Sequence, residues 1–284
     1  MASSCVSHSL PVTLYFCPLI AQQLSEQQLQ GLRSWLPVDE ETKADRFLQP
    51  DARAKGLLVR SYLRGVLSLY AQGAEGNIHP NEWQFDYLEK GKPVLSEACF
   101  ARYPLQFNIS HSGDYLLVAI TQSDRELQLG VDIERLRAST NIYAILNHYF
   151  TDDETLSLLA LPEREQRARF FDLWALKESY IKAKGLGLAL SLKSFSFTFN
   201  TLRTQNQQSN HAERIKMDGE PFAELNRHIS LHLHDKKGKK QADEWKVVLG
   251  HMDDEYRFAV SVESKASLQI VANKVTVEQL VNKW

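Results

Sequence analysis

The sequence predicts an α+β protein built as a pseudo-dimer of two similar halves, with an active site between them. The first observation is a repeated order of elements, in which a strand, a long amphipathic helix and several more strands occupy residues 12–121 and again residues 129–262. The second is a pair of acidic side chains at strand spacing near the start of the second half. The third is a later helix that carries further charged side chains on one face.

The chain has 284 residues, which is enough for two such halves. We assign residues 12–125 to the N-terminal half, 126–263 to the C-terminal half and 264–284 to a tail with no stable place in this scheme. A formal net charge of −2 gives no reason to expect a nucleic acid. Three widely spaced cysteines, no signal-peptide pattern and no apolar run of transmembrane length favour a cytoplasmic protein without a membrane partner.

The first half opens with a strand from Val12 to Cys17, followed by helices over residues 25–35, 39–47 and 51–70. The longest of these helices has an apolar stripe at helical spacing. A second stripe consists of Arg53, Arg60 and Arg64. Two interpretations remain open for these arginines, namely ion pairs with neighbouring acids or a site for an anion.

Two polar segments follow between predicted strands. Lys90 and Lys92 lie on a glycine-containing turn, which is either a solvated tip or a place that holds a phosphate. Residues 110–113, Ser-His-Ser-Gly, come just before an apolar strand and are expected on a loop at a sheet edge. Ser110 and His111 do not form a nucleophile pair, since adjacent residues of an extended chain point to opposite faces.

The acidic pair lies in the alternating segment 129–134. Asp132 and Glu134 are two residues apart, so both carboxylates leave the same face of a strand. Neighbouring like charges are unfavourable unless a cation lies between them. A third carboxylate opposite, from Glu178, would complete a set of hard oxygen ligands that suits Mg²⁺. The alternative is a solvated strand face without a metal ion.

Residues 170–190 form the segment around which the chain is organised. The spacing predicts a helix that ends at Gly185, with Trp174, Glu178, Ile181 and Lys182 on one face. Glu178 and Lys182 are then either part of a site or a surface ion pair one turn apart. Further strands are expected at 194–199, 229–233, 245–249 and 258–262, separated by a polar, mobile insertion at 200–226.

Four motifs, taken in order, resemble those of the 4′-phosphopantetheinyl transferases of the surfactin-synthetase type. They are Lys-Gly-Lys-Pro at 90–93, Phe-Asn-Ile-Ser-His at 107–111, Gly-Val-Asp-Ile-Glu at 130–134, and Trp-Ala-Leu-Lys-Glu-Ser-Tyr-Ile-Lys at 174–182 with Gly185 and Gly187. The resemblance covers about residues 43–199 and does not extend to the 200–226 insertion or the tail. It implies a pseudo-dimeric α+β fold, coenzyme A as co-substrate, Mg²⁺ as cofactor and a carrier-protein serine as acceptor.

The resemblance also implies roles for individual residues. Asp132, Glu134 and Glu178 would hold Mg²⁺ on the pyrophosphate of coenzyme A, with Lys182 on the same group and Glu178 as the base that deprotonates the serine. The residues expected to bind the nucleotide and its phosphates are Lys43, Arg53, Lys90, Lys92, Asn108, Ser110, His111 and Lys182.

The expected activity is transfer of the 4′-phosphopantetheine arm to an acyl or peptidyl carrier protein, with release of 3′,5′-ADP. The resemblance places carrier docking at the segment with Leu186, Leu188 and Leu190, and the expected state is a monomer. Two alternatives stay open: a Mg²⁺-dependent phosphodiesterase or nucleotide hydrolase that uses the same acids, and a coenzyme A-binding module without catalysis.

Overall fold

The architecture is described from a computed structural model, in which residues 9–21, 24–46, 48–72, 77–200 and 213–284 can be described. Two large sheets pack face to face, and a long helix covers the outer face of each sheet. This arrangement confirms the predicted α+β class and the predicted two halves. In the described residues, no helix has the length and apolar character needed to cross a membrane.

Among its described residues, the first half contains one large sheet, a small hairpin and four α-helices. Its strands are β1 (Ser9–Pro18), β2 (Phe85–Tyr87), β3 (Pro93–Leu95), β4 (Leu105–Ser112) and β5 (Tyr115–Gln122). Its helices are α1 (Glu26–Ser34), α2 (Val38–Asp45), α3 (Pro50–Gln72) and α4 (Glu97–Arg102).

The second half contains a five-stranded sheet, a three-stranded sheet and a second long helix. Its strands are β6 (Leu129–Arg135), β7 (Phe195–Phe199), β8 (Glu213–Met217), β9 (Glu220–Asn226), β10 (Ile229–Asp235), β11 (Gly238–Gln241), β12 (Trp245–His251) and β13 (Tyr256–Glu263). Its helices are α5 (Ile142–Tyr149), α6 (Asp152–Leu159) and α7 (Glu163–Lys184). The chain then continues into β14 (Ser267–Lys274) and α8 (Val277–Val281).

The two large sheets have the orders β14-β1-β5-β4 and β6-β13-β12-β9-β8. Alternation along β1 shows how they pack, because Leu14 and Phe16 face the second sheet whereas Tyr15 and Cys17 face α3. On the far side, α7 packs against β6 and β13. The edge strands β4 and β6 therefore meet where the two halves join.

The expectation that the tail has no stable place is wrong. Strand β14 pairs in parallel with the whole of β1, from Ser9 opposite Ser267 to Phe16 opposite Lys274. Leu280 of α8 is buried and belongs to the core that α1 and α3 form. The end of the chain thus completes the first half, although it follows the second half in sequence.

Two further expectations need correction. The Ser-His-Ser motif at 110–112 is the end of strand β4 and not a loop, because β4 pairs with β5 as far as Ser112 opposite Tyr115. The part of the polar insertion that can be described forms β8 and β9, which extend the five-stranded sheet, so it is not a mobile excursion. The expected insertion also includes residues 201–212, which lie outside the described residues.

Candidate active site

The edge strands β4 and β6 are linked by their side chains. Alternate residues of β4 leave the strand on one face, so Asn108, Ser110 and Ser112 all point towards β6. The Asn108 Oδ1 atom accepts a hydrogen bond from the main-chain nitrogen of Val131 at 2.9 Å. The hydroxyls donate to the Asp132 Oδ1 atom at 2.8 Å and to the Glu134 Oε2 atom at 3.2 Å. Both predicted acids therefore lie at the junction of the halves.

Helix α7 brings Glu178 and Lys182 to the same junction. Its close approach to β6 depends on Gly130, because a Cβ atom there would lie 2.0 Å from the carbonyl oxygen of Ser179. The Lys182 ammonium lies 2.6 Å from both the Asp132 Oδ1 atom and the Ser110 hydroxyl. Lys182 thus makes its ion pair with a buried carboxylate of another element. This geometry does not correspond to a surface ion pair with Glu178.

The surroundings of Asp132, Glu134 and Glu178 disfavour the ionised form of all three carboxyl groups. Burial raises the pKa of Asp132, and the charge of Lys182 opposes that rise. Burial and the charge of Asp132 together raise the pKa of Glu134 to about 7. The same two causes raise the pKa of Glu178. Close carboxylates raise one another's pKa when too little positive charge is present to compensate.

The carboxylates fit a divalent cation in their chemistry. The Oδ2 atom of Asp132 is buried and has no hydrogen-bond partner among the described residues. A buried carboxylate oxygen without a partner is costly, and hard oxygen donors of this kind suit Mg²⁺. The side chains are not preassembled around a metal position, since no group of three His, Cys, Asp or Glu in the described part of the chain has that arrangement. The predicted ligand set therefore stays a prediction.

A cleft of about 770 Å³ opens beside this network, between α3, the β2–β3 hairpin, β4 and the end of α7. Seven of the predicted site residues line it: Lys90, Lys92, Asn108, Ser110, His111, Glu178 and Lys182. Asp132 and Glu134 lie behind Ser110 and Ser112, at hydrogen-bonding distance from these hydroxyls. The structure thus brings together most of the residues that the motifs indicated.

Two predicted nucleotide-binding residues do not line the cleft. Lys43 on α2 forms an ion pair with Asp39 at 3.1 Å, and its ammonium lies 5.2 Å from the centre of the Tyr87 ring at the cleft rim. Arg53 lies in the first turn of α3 and is not among the residues that line the cleft. For Arg64 the ion-pair interpretation is confirmed, because its buried guanidinium holds both carboxylate oxygens of Glu40.

Two residues predicted to bind the nucleotide have main-chain hydrogen-bond partners in the second half. The Asn108 amide oxygen is bonded to β6, as described above. The Lys92 ammonium donates to the carbonyl oxygens of Leu129 and Ala183, at 3.0 Å each. Burial lowers the pKa of Lys92 to about 8. Sequence reasoning had no means of finding the partners of Lys92, which lie 37 and 91 residues away along the chain.

Sequence reasoning also missed Lys55 as a cleft residue. Lys55 lies on α3, and its ammonium donates to the carbonyl oxygen of Gly113 at 2.9 Å. Burial and the charges of Lys182 and Lys55 lower the pKa of His111. Lys55 and Arg60 therefore place two cations on the lining of the cleft, beside a His111 ring whose lowered pKa favours its neutral form. The only signal in the sequence was the neighbouring arginine stripe, from which Lys55 itself is absent.

Comparison with protein families agrees with this two-part architecture. Residues 23–123 match the family described as 4′-phosphopantetheinyl transferase, N-terminal, and residues 128–260 match the 4′-phosphopantetheinyl transferase superfamily. The two matches fall on the two halves of the fold and meet at the cleft. The chain belongs to the 4′-phosphopantetheinyl transferase superfamily, and the resemblance to the surfactin-synthetase type is confirmed.

Three curated relatives illustrate the similarity. The 4′-phosphopantetheinyl transferase HetI of Nostoc sp. is 35% identical over 162 residues, which are 57% of this chain and 65% of HetI. The 4′-phosphopantetheinyl transferase Sfp of Bacillus subtilis is 32% identical over 164 residues, 58% of this chain and 66% of Sfp. The human L-aminoadipate-semialdehyde dehydrogenase-phosphopantetheinyl transferase is 34% identical over 202 residues, 66% of this chain and 64% of that protein. The chain therefore spans just under two thirds of the length of each relative.

Proposed function

We propose that this protein transfers the 4′-phosphopantetheine arm of coenzyme A to a serine of an acyl or peptidyl carrier protein. The observation that carries the proposal is the meeting of the Lys182 ammonium, the Ser110 hydroxyl and the Asp132 carboxylate within 2.6–2.8 Å beside the cleft. Membership of the superfamily and the names of the three relatives support the same reaction.

Coenzyme A would lie with its phosphates against the basic groups of the cleft. Lys182 would contact the pyrophosphate, because its ammonium is the cation next to the acidic network. Lys55 and Arg60 are cations of the cleft lining that would receive the phosphate of the nucleotide end, with the His111 ring beside them as a hydrogen-bond donor. Lys90 and the aromatic ring of Tyr87, with Lys43 beside it, would line the rim.

Asp132, Glu134 and Glu178 would hold Mg²⁺. Support comes from the unpartnered Asp132 Oδ2 atom and from the raised pKa values of Glu134 and Glu178. A bound Mg²⁺ would neutralise charge on the pyrophosphate and lower the energy of its transition state. The same cation would relieve the repulsion among these three carboxylates.

The chemistry assigned to this chain is positioning and proton transfer. The serine oxygen of the carrier attacks the β-phosphorus of coenzyme A, and the bond between that phosphorus and the oxygen of 3′,5′-ADP breaks. Glu178 accepts the hydroxyl proton as general base, and without a metal ion burial and the charge of Asp132 hold its pKa above the usual range of a glutamate. Lys182 faces the oxygens on which negative charge increases, where a fixed cation has its greatest effect.

The carrier protein would dock beside the end of α7. Leu186 and Leu188 follow the Gly185 cap and are 44% and 73% exposed, and Leu188 also lines the cleft. Leu190 packs against the core of the second half, so it would support this surface rather than contact the carrier. Cytoplasmic location and a monomeric state are parts of the same proposal.

The test is to incubate the protein with coenzyme A, Mg²⁺ and an apo carrier protein and to follow the carrier by mass spectrometry. Transfer predicts a mass gain of one phosphopantetheine arm on the serine, together with release of 3′,5′-ADP. Hydrolysis of coenzyme A with an unchanged carrier would indicate the phosphodiesterase alternative. Binding without turnover would indicate a coenzyme A-binding module. Equal transfer in excess EDTA would overturn the Mg²⁺ assignment.

A further inference from the structure

The side chain of Lys92 connects the β2–β3 hairpin of the first half to two elements of the second half. The Lys92 ammonium donates to the carbonyl oxygen of Leu129, the first residue of β6, and to that of Ala183, in the last turn of α7. We propose that Lys92 is a positioning residue that holds the end of α7 against the start of β6 and so sets the distance between Lys182 and Asp132. This inference rests on the proposed function.

The contact with Ala183 satisfies a general need of helices. The last carbonyl groups of an α-helix lack partners within the helix and carry partial negative charge, so a cation is favourable there. In α7, the amide of Gly185 donates to the carbonyl oxygens of Ile181 and Lys182. The next carbonyl oxygen, that of Ala183, accepts from Lys92, which belongs to the other half of the molecule.

The same ammonium lies beside the closest contact between α7 and β6. Gly130 follows Leu129 directly, and a Cβ atom on Gly130 would lie 2.3 Å from the main-chain nitrogen of Ala183. Lys92 therefore bonds to residues on both sides of this contact. Lys182 comes one residue before Ala183, and Asp132 comes three residues after Leu129, so a shift of either element changes their 2.6 Å contact.

The hairpin is built to hold Lys92 in place. The amide of Leu88 donates to the Lys92 carbonyl oxygen at 2.9 Å, and the amide of Gly91 donates to the Leu88 carbonyl oxygen at 2.7 Å. The Leu88 side chain packs where Gly185 ends α7, 3.0 Å from the position that a Cβ atom would take. The Lys92 ammonium thus donates hydrogen bonds to the second half. The ammonium of Lys90, at the hairpin tip, instead forms an ion pair with the exposed carboxylate of Glu89.

The positioning role and a phosphate-binding role predict different kinetics. If Lys92 positions α7, Lys92→Met lowers kcat about tenfold to fiftyfold, and the Kd of coenzyme A changes less than about threefold. The loss is then equal for coenzyme A and for a donor without the 3′-phosphate. If Lys92 binds a phosphate, the same substitution raises Kd and leaves kcat nearly unchanged, which would overturn the proposal. Lys90→Met is the matched comparison on the same hairpin and is expected to act on Kd.

A second measurement needs neither substrate nor activity. Amide hydrogen exchange in the last turn of α7, residues 181–185, is expected to be at least tenfold faster in Lys92→Met than in the unmodified protein. Unchanged exchange there would overturn the proposal. If the unmodified protein shows no transfer, the proposed function fails. Hydrogen exchange then still decides whether Lys92 holds the end of α7 against β6. Should Lys92→Met not fold, Lys92→Gln, which keeps hydrogen-bond donors on a shorter side chain, is measured with the same criteria.

Discussion

Two lysines on α7, only five residues apart, show how buried charge differs between scaffold and site. Lys177 is fully buried, and its ammonium bonds to Glu154 and to the carbonyl oxygens of Leu192 and Phe195 at 2.8–2.9 Å. Lys182 is partly exposed and is bonded to Asp132, which keeps one buried oxygen without a partner in the described structure. The charges of Lys177 and Glu154 are fully satisfied by partners within the protein. Beside Lys182, by contrast, the Asp132 carboxylate still has an oxygen that could bind a ligand.

The partners of Lys177 explain why its charge is tolerated. The Glu154 carboxylate also accepts the amide of Phe197 and closes a capping box with Thr151 at the start of α6. A buried ion pair is tolerated when further hydrogen bonds satisfy both charged groups. At Lys182, by contrast, the pKa values of Asp132, Glu134 and Glu178 are all raised. We therefore expect loss of stability from changes at Lys177 and loss of activity from changes near Lys182.

The largest expected effect is at Asp132. Asp132→Asn keeps the shape and an acceptor for Ser110 but removes the charge that would bind Mg²⁺ and face Lys182. We expect transfer to fall about a thousandfold, equivalent to roughly 4 kcal/mol of transition-state stabilisation, with a Tm within a few degrees of the unmodified protein. Steady-state transfer assays and calorimetry measure both quantities. Asp254→Asn, an exposed residue, is the control, and a large fall in Tm for Asp132→Asn would make its role structural.

Lys177→Met is expected to lower the Tm and to leave kcat nearly unchanged, which is the reverse of the result expected for Asp132→Asn. It leaves the Glu154 carboxylate buried without its cation, which typically costs about 3–5 kcal/mol and corresponds here to a Tm lower by roughly 10 °C. We expect kcat at 15 °C to stay within about threefold of the original. Adding Glu154→Gln to this variant should recover part of the stability. A normal Tm with a collapse of kcat would remove the distinction between the two lysines.

Glu178→Gln tests the assignment of the base. The amide keeps the shape but loses both the charge and the basic lone pair, so kcat should fall by about 10²-fold or more. Its Tm should not fall, because the pKa of Glu178 is raised and the charged form is therefore disfavoured by its surroundings. The assays are those used for Asp132. A kcat close to the original would exclude Glu178 as base and would also contradict its role as a charged ligand of Mg²⁺.

The smallest expected effect is the pH dependence of stability without Mg²⁺. The folded-state pKa of Glu134 is about 7, above the 4.5 of a glutamate in water, so the fold loses stability as the pH rises towards and through 7. This penalty is relieved as the pH falls from about 8 towards 5. We expect Glu134→Gln to reduce the rise in Tm over that range by about 2–4 °C, on the order of 1 kcal/mol.

Addition of Mg²⁺ is expected to change the pH dependence of Tm. Its addition should raise the Tm of the unmodified protein more at pH 8 than at pH 6, since the carboxylates bind the ion only when ionised. Glu220→Gln, which removes an exposed carboxylate of β9, is the control and should leave the pH profile unchanged. A Tm without pH dependence in all three proteins would contradict the raised pKa of Glu134.

Local patterns in the sequence already determined much of the site. Spacings of two and four residues place Asp132 with Glu134, and Glu178 with Lys182, because side-chain direction within a strand or helix depends only on position. Gly185 ends α7 with a φ of 66°, as expected for a residue without a Cβ atom. The capping box of Ser25 and Gln28 at the start of α1 is local in the same sense, since both partners lie within one turn.

Only the tertiary structure decided the contacts between distant segments. The parallel pairing of β14 with β1 depends on a sheet edge that is formed more than 200 residues earlier in the chain. The ammonium groups of Lys92 and Lys55 donate hydrogen bonds to main-chain carbonyl groups, which every residue carries and which therefore leave no mark in a sequence. The sequence by itself determined which chemical groups share a face. The packing of the two halves decided which of those groups meet, because hydrogen bonds and burial between distant segments arise only after folding.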